Sequence, residues 1–374
     1  LISFSSLYLL DRGFTNTQIG LLLGIAGLTA AILQPFVGAK GDHLKVLSLR
    51  QFTSLPIAAM ILCGVGLFLV PAKPVQAALY MVLLVLLQLL TPLIYSLGMD
   101  CLNNHIELNF GLARGIGGGT YALASAVCGS LAAALGARVI PLVLVVAVAL
   151  MLAFTFTFRQ GGPVKSTLPK PDALPQSDGT PFLKKYPQVL PLLIGVILLY
   201  TSHNVIMNFP YQIVRSLGCG SAEMGHYLTL QSLMDIPAMV VFSLLLKQAS
   251  SRAWVRLTGI SFFLHALLTW LAPNLPFLMV VQVFEMSGYA LYSVSSVYFV
   301  NEMVDLCDRV QGQTYFTMAN TIGIVLSSVL GGRLLDLGGA SAALCLATVT
   351  GAAGMVILWF LLRRKSLRPA TNAA

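Results

Sequence analysis

Apolar positions in this chain neither alternate, as in a half-buried strand, nor recur on one stripe, as in a surface helix. They run on for about twenty residues at a time and then break. A helix rises 1.5 Å per residue, so about 20 apolar residues cross a hydrocarbon core roughly 30 Å thick. Runs of that kind lie near 17–39, 51–71, 77–98, 113–135, 138–158, 189–210, 221–246, 254–272, 276–300, 311–334 and 341–362. These are eleven full spans. A twelfth is cut short at residues 1–10, where the sequence opens at Leu1 in the middle of an apolar run. A preceding segment that completes the first helix is therefore expected. A cleaved signal peptide fits less well, because no small-residue cleavage site follows.

The expected fold class is an all-α transmembrane bundle, and composition agrees. Of 374 residues, 57% are hydrophobic and 9% charged, where a soluble domain carries about 25% charged residues. So few charges cannot cover a water-facing surface. The 159–187 stretch breaks the apolar pattern with a run rich in Pro, Gly and Lys and without helical period. It reads as a linker. Six spans precede it and six follow, counting the cut one, which divides the chain into 1–158, the linker 159–187, 188–365 and a tail 366–374.

The two halves share a pattern. Gln88, Tyr95, Gly118, Thr120, Tyr121 and Gly129 recur 194 residues later as Gln282, Tyr289, Gly312, Thr314, Tyr315 and Gly323. Gly13 and Gly20 recur as Gly218 and Gly225. Parallel halves related about the membrane normal imply a central cavity between two bundles, open to each side in turn.

The net charge of +9 would suggest nucleic acid on a soluble protein. Here the distribution explains it. With a cytoplasmic N-terminus, seventeen of the 22 Lys and Arg residues fall in inner loops and the C-terminal tail, as the positive-inside rule requires. The sequence thus points to a multi-pass protein of the plasma membrane, with both termini cytoplasmic and no nucleic-acid partner. Six cysteines lie scattered without a C-x-x-C pair, so neither a redox nor a metal site is expected, and no cofactor is implied. GIGGG at 115–119 is not preceded by a strand, which excludes a nucleotide loop.

Ionisable residues inside spans are costly and usually functional. Glu285 sits mid-span and is the sharpest candidate. A buried carboxyl without a fixed cation prefers the neutral form and can take up and release a proton. The alternative is a structural acid bonded to a neighbouring helix. Asp235 lies in SLMDIPAM, where Pro237 is expected to bend the helix; it is a second proton or solute ligand, or an acid bonded to the loosened backbone. Arg114 and Asp100 are placed to form a charge pair at the cytoplasmic mouth, or Arg114 is a positive-inside anchor. Tyr121, two turns from Arg114, shares its face. Tyr200, Asn204 and Asn208 form an i, i+4, i+8 stripe suited to a water-lined face. His203 and His265 read as hydrogen-bonded helix residues, too isolated for a metal site. No Ser-His-Asp set, Walker loop or H-E-x-x-H is present.

Three stretches resemble a known family. PFVGAKGDHLK resembles the loop signature of the major facilitator superfamily, with Gly38 and Asp42 at its Gly and Asp; there the Asp helps hold a cytoplasmic gate. NFGLARGIGGGTYAL is similar to the start of the fifth helix in the lactose permease branch of oligosaccharide–proton symporters. Their sugar-binding Arg falls on Arg114 and their stacking aromatic on Tyr121. QVFE is similar to that branch's His-Met-Phe-Glu segment, with its proton-carrying Glu on Glu285 and its His on Gln282. The branch's acid of the eighth span falls near Ser232, with Asp235 one turn on. Its acid–lysine pairing between spans seven and eleven is replaced by His203 and Asn320, which argues against a galactoside.

The resemblance implies the major facilitator fold of twelve helices in two six-helix bundles. It implies a monomeric, proton-coupled transporter of a small polar solute, a sugar or nucleoside. Glu285 and Asp235 would handle the proton. Arg114, Tyr121, Asn204, Asn208, Gln282 and Asn320 would line the solute site, and Gly38, Asp42 and Asp100 would act in gating. Rival readings are a proton-driven exporter of amphipathic compounds, a transporter-like receptor that does not translocate and, weakest, a membrane enzyme.

Overall fold

The structure is a computed structural model. It describes residues 2–42, 49–103, 110–157, 181–245, 250–305 and 308–363; within these, several side chains, including those at 38–42, 95–103, 110–115 and 238–245, fall outside the description. The described residues are nearly all helical and contain no strand. In chain order the helices are α1 (Ser5–Asp11), α2 (Asn16–Asp42), α3 (Leu49–Leu69), α4 (Lys73–Asn103), α5 (Phe110–Leu135) and α6 (Ile140–Thr157). Then come α7 (Val189–Asn208), α8 (Ser221–Leu245), α9 (Ser251–Trp270) and α10 (Leu275–Met303). The last helical run, Arg309–Arg363, is broken at Gly338 and Gly339 into α11 (309–337) and α12 (340–363). Gly339 has φ +66°, a conformation that favours glycine.

Eight helices among the described residues are long and apolar enough to cross a membrane, counting the bent last run as one. Outside that set are α1, which is short, and α8 and α9, whose sequences carry Glu223, Gln231 and Asp235 or Arg252, Arg256 and His265. Lipid-facing side chains such as Phe36, Leu62, Phe154 and Leu337 stand well exposed, the surface expected where hydrocarbon is the solvent. The expected linker lies mostly in 158–180, outside the described residues.

The repeat read from the glycines has a structural counterpart. Gly13 and Gly218 both adopt positive φ, 76° and 78°, in the turns that lead into α2 and α8. Gly20 of α2 lies against Ser328 and Gly332 of α11, and Gly225 of α8 lies against Gly129 of α5. A Cβ added to Gly129 would stand 2.7 Å from the Gly225 Cα. Small residues let backbones approach this closely. The two pairs, α2 with α11 and α5 with α8, join the first half of the chain to the second.

This joint is uneven along its length. At the α1–α2 end one apolar cluster takes residues from both halves, among them Leu7, Phe14 and Tyr80 with Phe209, Ile213 and Tyr227. The second cluster draws only on residues from Phe182 onward. Farther along, a Cβ on Gly27 of α2, or on Gly117 or Gly119 of α5, would meet nothing within 4 Å. Among the described residues the two halves thus share apolar packing at the α1–α2 end, and these three glycines farther along have no such close neighbour.

Candidate functional site

The sequence predicts one unbroken helix across 276–300, but α10 is interrupted. It runs as Leu275–Val281, Val283–Glu285, a π-helical turn Met286–Ala290 and then Leu291–Met303. Wide turns of this kind are frequent at functional sites. The Ser287–Gly288 pair gives the local reason, since such pairs weaken the ladder of hydrogen bonds. The break projects Glu285 and Tyr289 into the interior.

Glu285 is 2% exposed and is surrounded by side chains from three other helices. Its Oε2 lies 3.4 Å from His203 Nδ1 of α7 and 3.5 Å from His265 Nδ1 of α9. Gln231 Nε2 of α8 donates to its Oε1 at 3.2 Å. Tyr289 stacks on the His203 ring, with centroids 4.9 Å apart and planes within 6°. Phe262 and Tyr200 pack against the same ring edge-on. These aromatics fix the imidazole where it faces the acid.

The expectation that both histidines stand isolated is thus corrected. They lie far from each other in sequence and on different helices, yet one carboxylate gathers them. A bare carboxylate in such a place is expensive, and a proton shared with an imidazole offsets much of that cost. The three residues each offer one ligand atom, all within 4.8 Å of one another, which raises the question of a metal ion. A metal-binding imidazole normally gives its second nitrogen to an acceptor. His265 Nε2 is buried without a hydrogen bond of good geometry, although the Gln282 side chain lies beside the ring.

The cluster forms one wall of a cavity of about 420 Å³. Gly118 and Tyr121 of α5, Tyr200, Asn204 and Met207 of α7, Ser232 and Asp235 of α8 and Ile324 of α11 line the rest. Both halves therefore contribute. Ser232 Oγ donates to the Gly118 carbonyl at 2.9 Å, which ties α8 to α5 at the cavity edge. A larger space of about 660 Å³ lies at the α1–α2 end, and its described lining residues, such as Asp11 and Arg215, form no comparable cluster.

Residues 1–345 match the MFS_1 like family. The chain belongs to that family and has the major facilitator fold. The nucleoside transporter NupG, in a point-mutant form, superposes with a TM-score of 0.79 at 14% identity, covering 98% of this chain and 95% of NupG. A second NupG structure, without that substitution, gives 0.73 at 14%, covering 97% and 94%. The human organic anion transporter MFSD10 gives 0.61 at 15%, covering 91% and 83%. No curated protein matches the sequence. The protein is thus a multi-pass membrane protein with a transporter fold, and its cavity lies between the two halves of that fold.

Within this major facilitator the expected site residues separate into groups. Glu285, Asp235, Tyr121 and Asn204 line the cavity. Tyr121 is held by a hydrogen bond between its hydroxyl and Ser3 Oγ, 2.8 Å. Asn204 Nδ2 is used on the Tyr200 carbonyl at 2.9 Å. Asp235 Oδ1 is buried without a partner. Asn208, one turn beyond Asn204, is placed elsewhere: its amide bonds Ser328 Oγ at 2.9 Å and Ser327 Oγ at 3.4 Å, linking α7 to α11. Gln282 is fully buried, with Nε2 on the Leu278 carbonyl and Oε1 unpartnered. Asn320 Oδ1 is likewise buried without a partner. Neither lines the described cavity. Gly38 and Asp42 lie on α2, Asp100 on α4 and Arg114 on α5, but their side chains fall outside the described residues.

Sequence reasoning missed the roles of His203, His265, Gln231 and Tyr289 at this site. One signal was available. Ionisable residues at mid-depth in α7, α9 and α10 of one half each need a partner, and three such needs in one bundle point to a common meeting place.

Proposed function

We propose that this protein is a secondary active transporter that carries a small polar solute, a sugar or a nucleoside-like molecule, together with protons by alternating access. The observation that carries the reading is Glu285, buried against two imidazoles in the wall of a cavity that both halves line. With both imidazoles neutral, one proton on this cluster makes it neutral. Its loss leaves a buried negative charge that disfavours occlusion, which links protonation to the conformational cycle. Asp235 lines the same cavity and is the second group in this scheme.

The lining also bears on the solute. Among the described lining side chains two are acids and none is Lys or Arg. Such a surface suits a neutral or cationic solute and disfavours an anion. Tyr121, Tyr200 and Tyr289 supply aromatic faces, and Asn204 and Gln231 supply amide groups. This mixture fits the flat faces and hydroxyls of a sugar or nucleoside. The fold shared with NupG is compatible with that choice. Arg114 remains the proposed cation at the cavity mouth, with Asp100, and Asp42 and Gly38 the proposed gating pair.

The bias of Lys and Arg towards one set of loops orients the protein with its linker and both termini in the cytoplasm. The α1–α2 end, where the halves share an apolar cluster, then faces outward. Residues 1–158 and 188–365 act as the two moving bodies, in a monomer of the plasma membrane.

Uptake into proteoliposomes tests the reading. A panel of sugars and nucleosides is offered under an imposed inward pH gradient. Accumulation of one class, abolished by a protonophore, supports it. If none accumulates while hydrophobic dyes are expelled, the protein is an exporter of amphipathic compounds.

A further inference from the structure

The joint at the α1–α2 end contains a polar network that glycine packing does not explain. Helix α2 begins at Asn16, and its first turn, Thr15–Asn16–Thr17–Gln18, is a capping box. Thr15 N–H donates to Gln18 Oε1 at 3.1 Å, and Gln18 N–H donates to Thr15 Oγ1 at 3.2 Å. The first four N–H groups of a helix have no acceptor within it. The capping box serves one end of that set and leaves Asn16 and Thr17 unsatisfied by local means.

Their acceptor comes from the other half of the protein. The Asp336 carboxylate of α11 takes the Asn16 N–H on Oδ1 at 3.0 Å and the Thr17 N–H on Oδ2 at 2.7 Å. It also accepts from Asn16 Nδ2 at 2.8 Å and Thr17 Oγ1 at 2.6 Å. The Asn16 amide is then completed by Gln212, whose Nε2 donates to Asn16 Oδ1 at 2.8 Å. Gln212 lies on the short helix Pro210–Ser216, also in the second half. One carboxylate thus closes the N-terminus of a helix that it must leave if the halves separate at this end. Negative charge at a helix N-terminus is favourable as well.

Among the described residues the pseudo-equivalent position has no such device. α8 keeps half of the capping box, with Gly220 N–H on Glu223 Oε2 at 2.9 Å. Its partner α5 ends at Leu135, and the last turns of α5 carry no acid. The network therefore acts on one side of the pseudo-symmetric joint alone.

We propose that Asp336 is a positioning residue that latches the α1–α2 end shut by capping α2 from across the interface, with Asn16 and Gln212 completing the latch. It sets the share of molecules closed at this end without touching solute. This rests on the alternating-access reading for its functional meaning, but its test does not need transport.

Cysteine alkylation of the whole chain reads the latch directly, with sites resolved by mass spectrometry. Cys128 is buried in the apolar cluster shared by the two halves, whereas Cys219 lines the space already open at that end and serves as the internal reference. In Asp336→Ala, the ratio of Cys128 to Cys219 labelling rises by about tenfold, the scale of losing a charge-assisted network. Asp336→Asn, which keeps only one acceptor oxygen, gives a smaller rise, and Gln212→Ala the smallest. Arg333→Gln, one turn away on the same helix, leaves the ratio unchanged. Equal labelling in wild type, Asp336→Ala and Asp336→Asn overturns the latch. So does a rise in Arg333→Gln equal to that in Asp336→Ala, which would show general loosening. A latch confirmed here with no uptake of any solute would refute the transport reading alone.

Discussion

At the α1–α2 end the polar network spans the two halves, with Asn16 and Thr17 of the first bound to Asp336 of the second. At the linker end a network of similar size stays inside the second half. Lys185 Nζ lies 2.7 Å from Asp308 Oδ2 and 3.1 Å from Asp305 Oδ2. The buried Tyr186 hydroxyl lies 2.9 Å from the same two carboxylate oxygens, and it accepts from the Asp305 N–H at 3.1 Å. The first network must break for the halves to part, and the second need not. It fastens the short helix Phe182–Lys185 to the segment after α10, so that the start of the second half travels with that bundle. Under the alternating-access reading, the same ingredients, a carboxylate and a ring of donors, serve as a gate in one place and an anchor in the other. What differs is whether the partners belong to one moving body.

The largest effect comes from cross-linking each network. A Thr17→Cys/Asp336→Cys pair bridged by a short thiol reagent should abolish solute movement across the membrane, with recovery on reduction. A Lys185→Cys/Asp308→Cys pair treated alike should retain most activity. Loss of activity at both ends would mean that the linker end is also an interface between bodies. Next in size is crowding of the glycine joint. Gly225→Leu drives a side chain into Ser125 and Gly129 of α5, where even a Cβ would stand 2.7 Å from the Ser125 carbonyl oxygen. Overpacking of this kind costs about 1–3 kcal/mol. Thermal unfolding should therefore move down by a few degrees while Cys128 becomes easier to alkylate. Gly117→Ala, which meets nothing within 4 Å, should change neither.

The smallest effect concerns the anchor and has a pH signature. Hydrogen bonding to Asp308 is the main reason that the Lys185 ammonium titrates well above the ordinary lysine range, with Asp305 adding to it. A group whose folded value is raised contributes its full stabilisation below the unfolded value, and loses it only as pH climbs through the folded one. Burial likewise lifts the Tyr186 phenol above its usual range, so neither group changes its protonation state near neutrality. Lys185→Met should lower the unfolding midpoint by a degree or two, and by the same amount at pH 6 and pH 9. A decrement that vanishes at pH 9 would contradict the pairing.

Much of the fold was legible because lipid imposes simple rules. Ten of the expected spans coincide with described helices to within a few residues. The eleventh, 276–300, falls on α10 with a break that the sequence reading lacked. The glycine repeat carried real information: Gly13 and Gly218 share a backbone conformation, and Gly20 and Gly225 share a packing role. The site was legible in part. Glu285 and Asp235 stand out in sequence because an ionisable group in an apolar run is conspicuous, and Tyr121 because it shares a helix face with Arg114 and falls on the stacking aromatic of the resembling branch. His203 and His265 stood out equally, but their relation to Glu285 depends on how α7, α9 and α10 rotate, which no linear spacing reports. Asn208 shows the reverse error of scale. The i, i+8 stripe is real, yet helix crossing turns its last member towards α11. Asp336 was invisible for another reason: its partners lie some 320 residues away, and an acid near a helix end looks like any solvated charge.

The central claim is that protonation of the cluster around Glu285 drives solute movement. Reconstituted Glu285→Gln protein, compared with wild type under the same imposed pH gradient, tests it most directly. The amide keeps the size of the side chain and can still accept from Gln231, but it cannot carry the proton. The account predicts that uphill accumulation disappears while solute exchange between loaded vesicles and medium persists. Accumulation against the gradient at the wild-type level in that variant would contradict it.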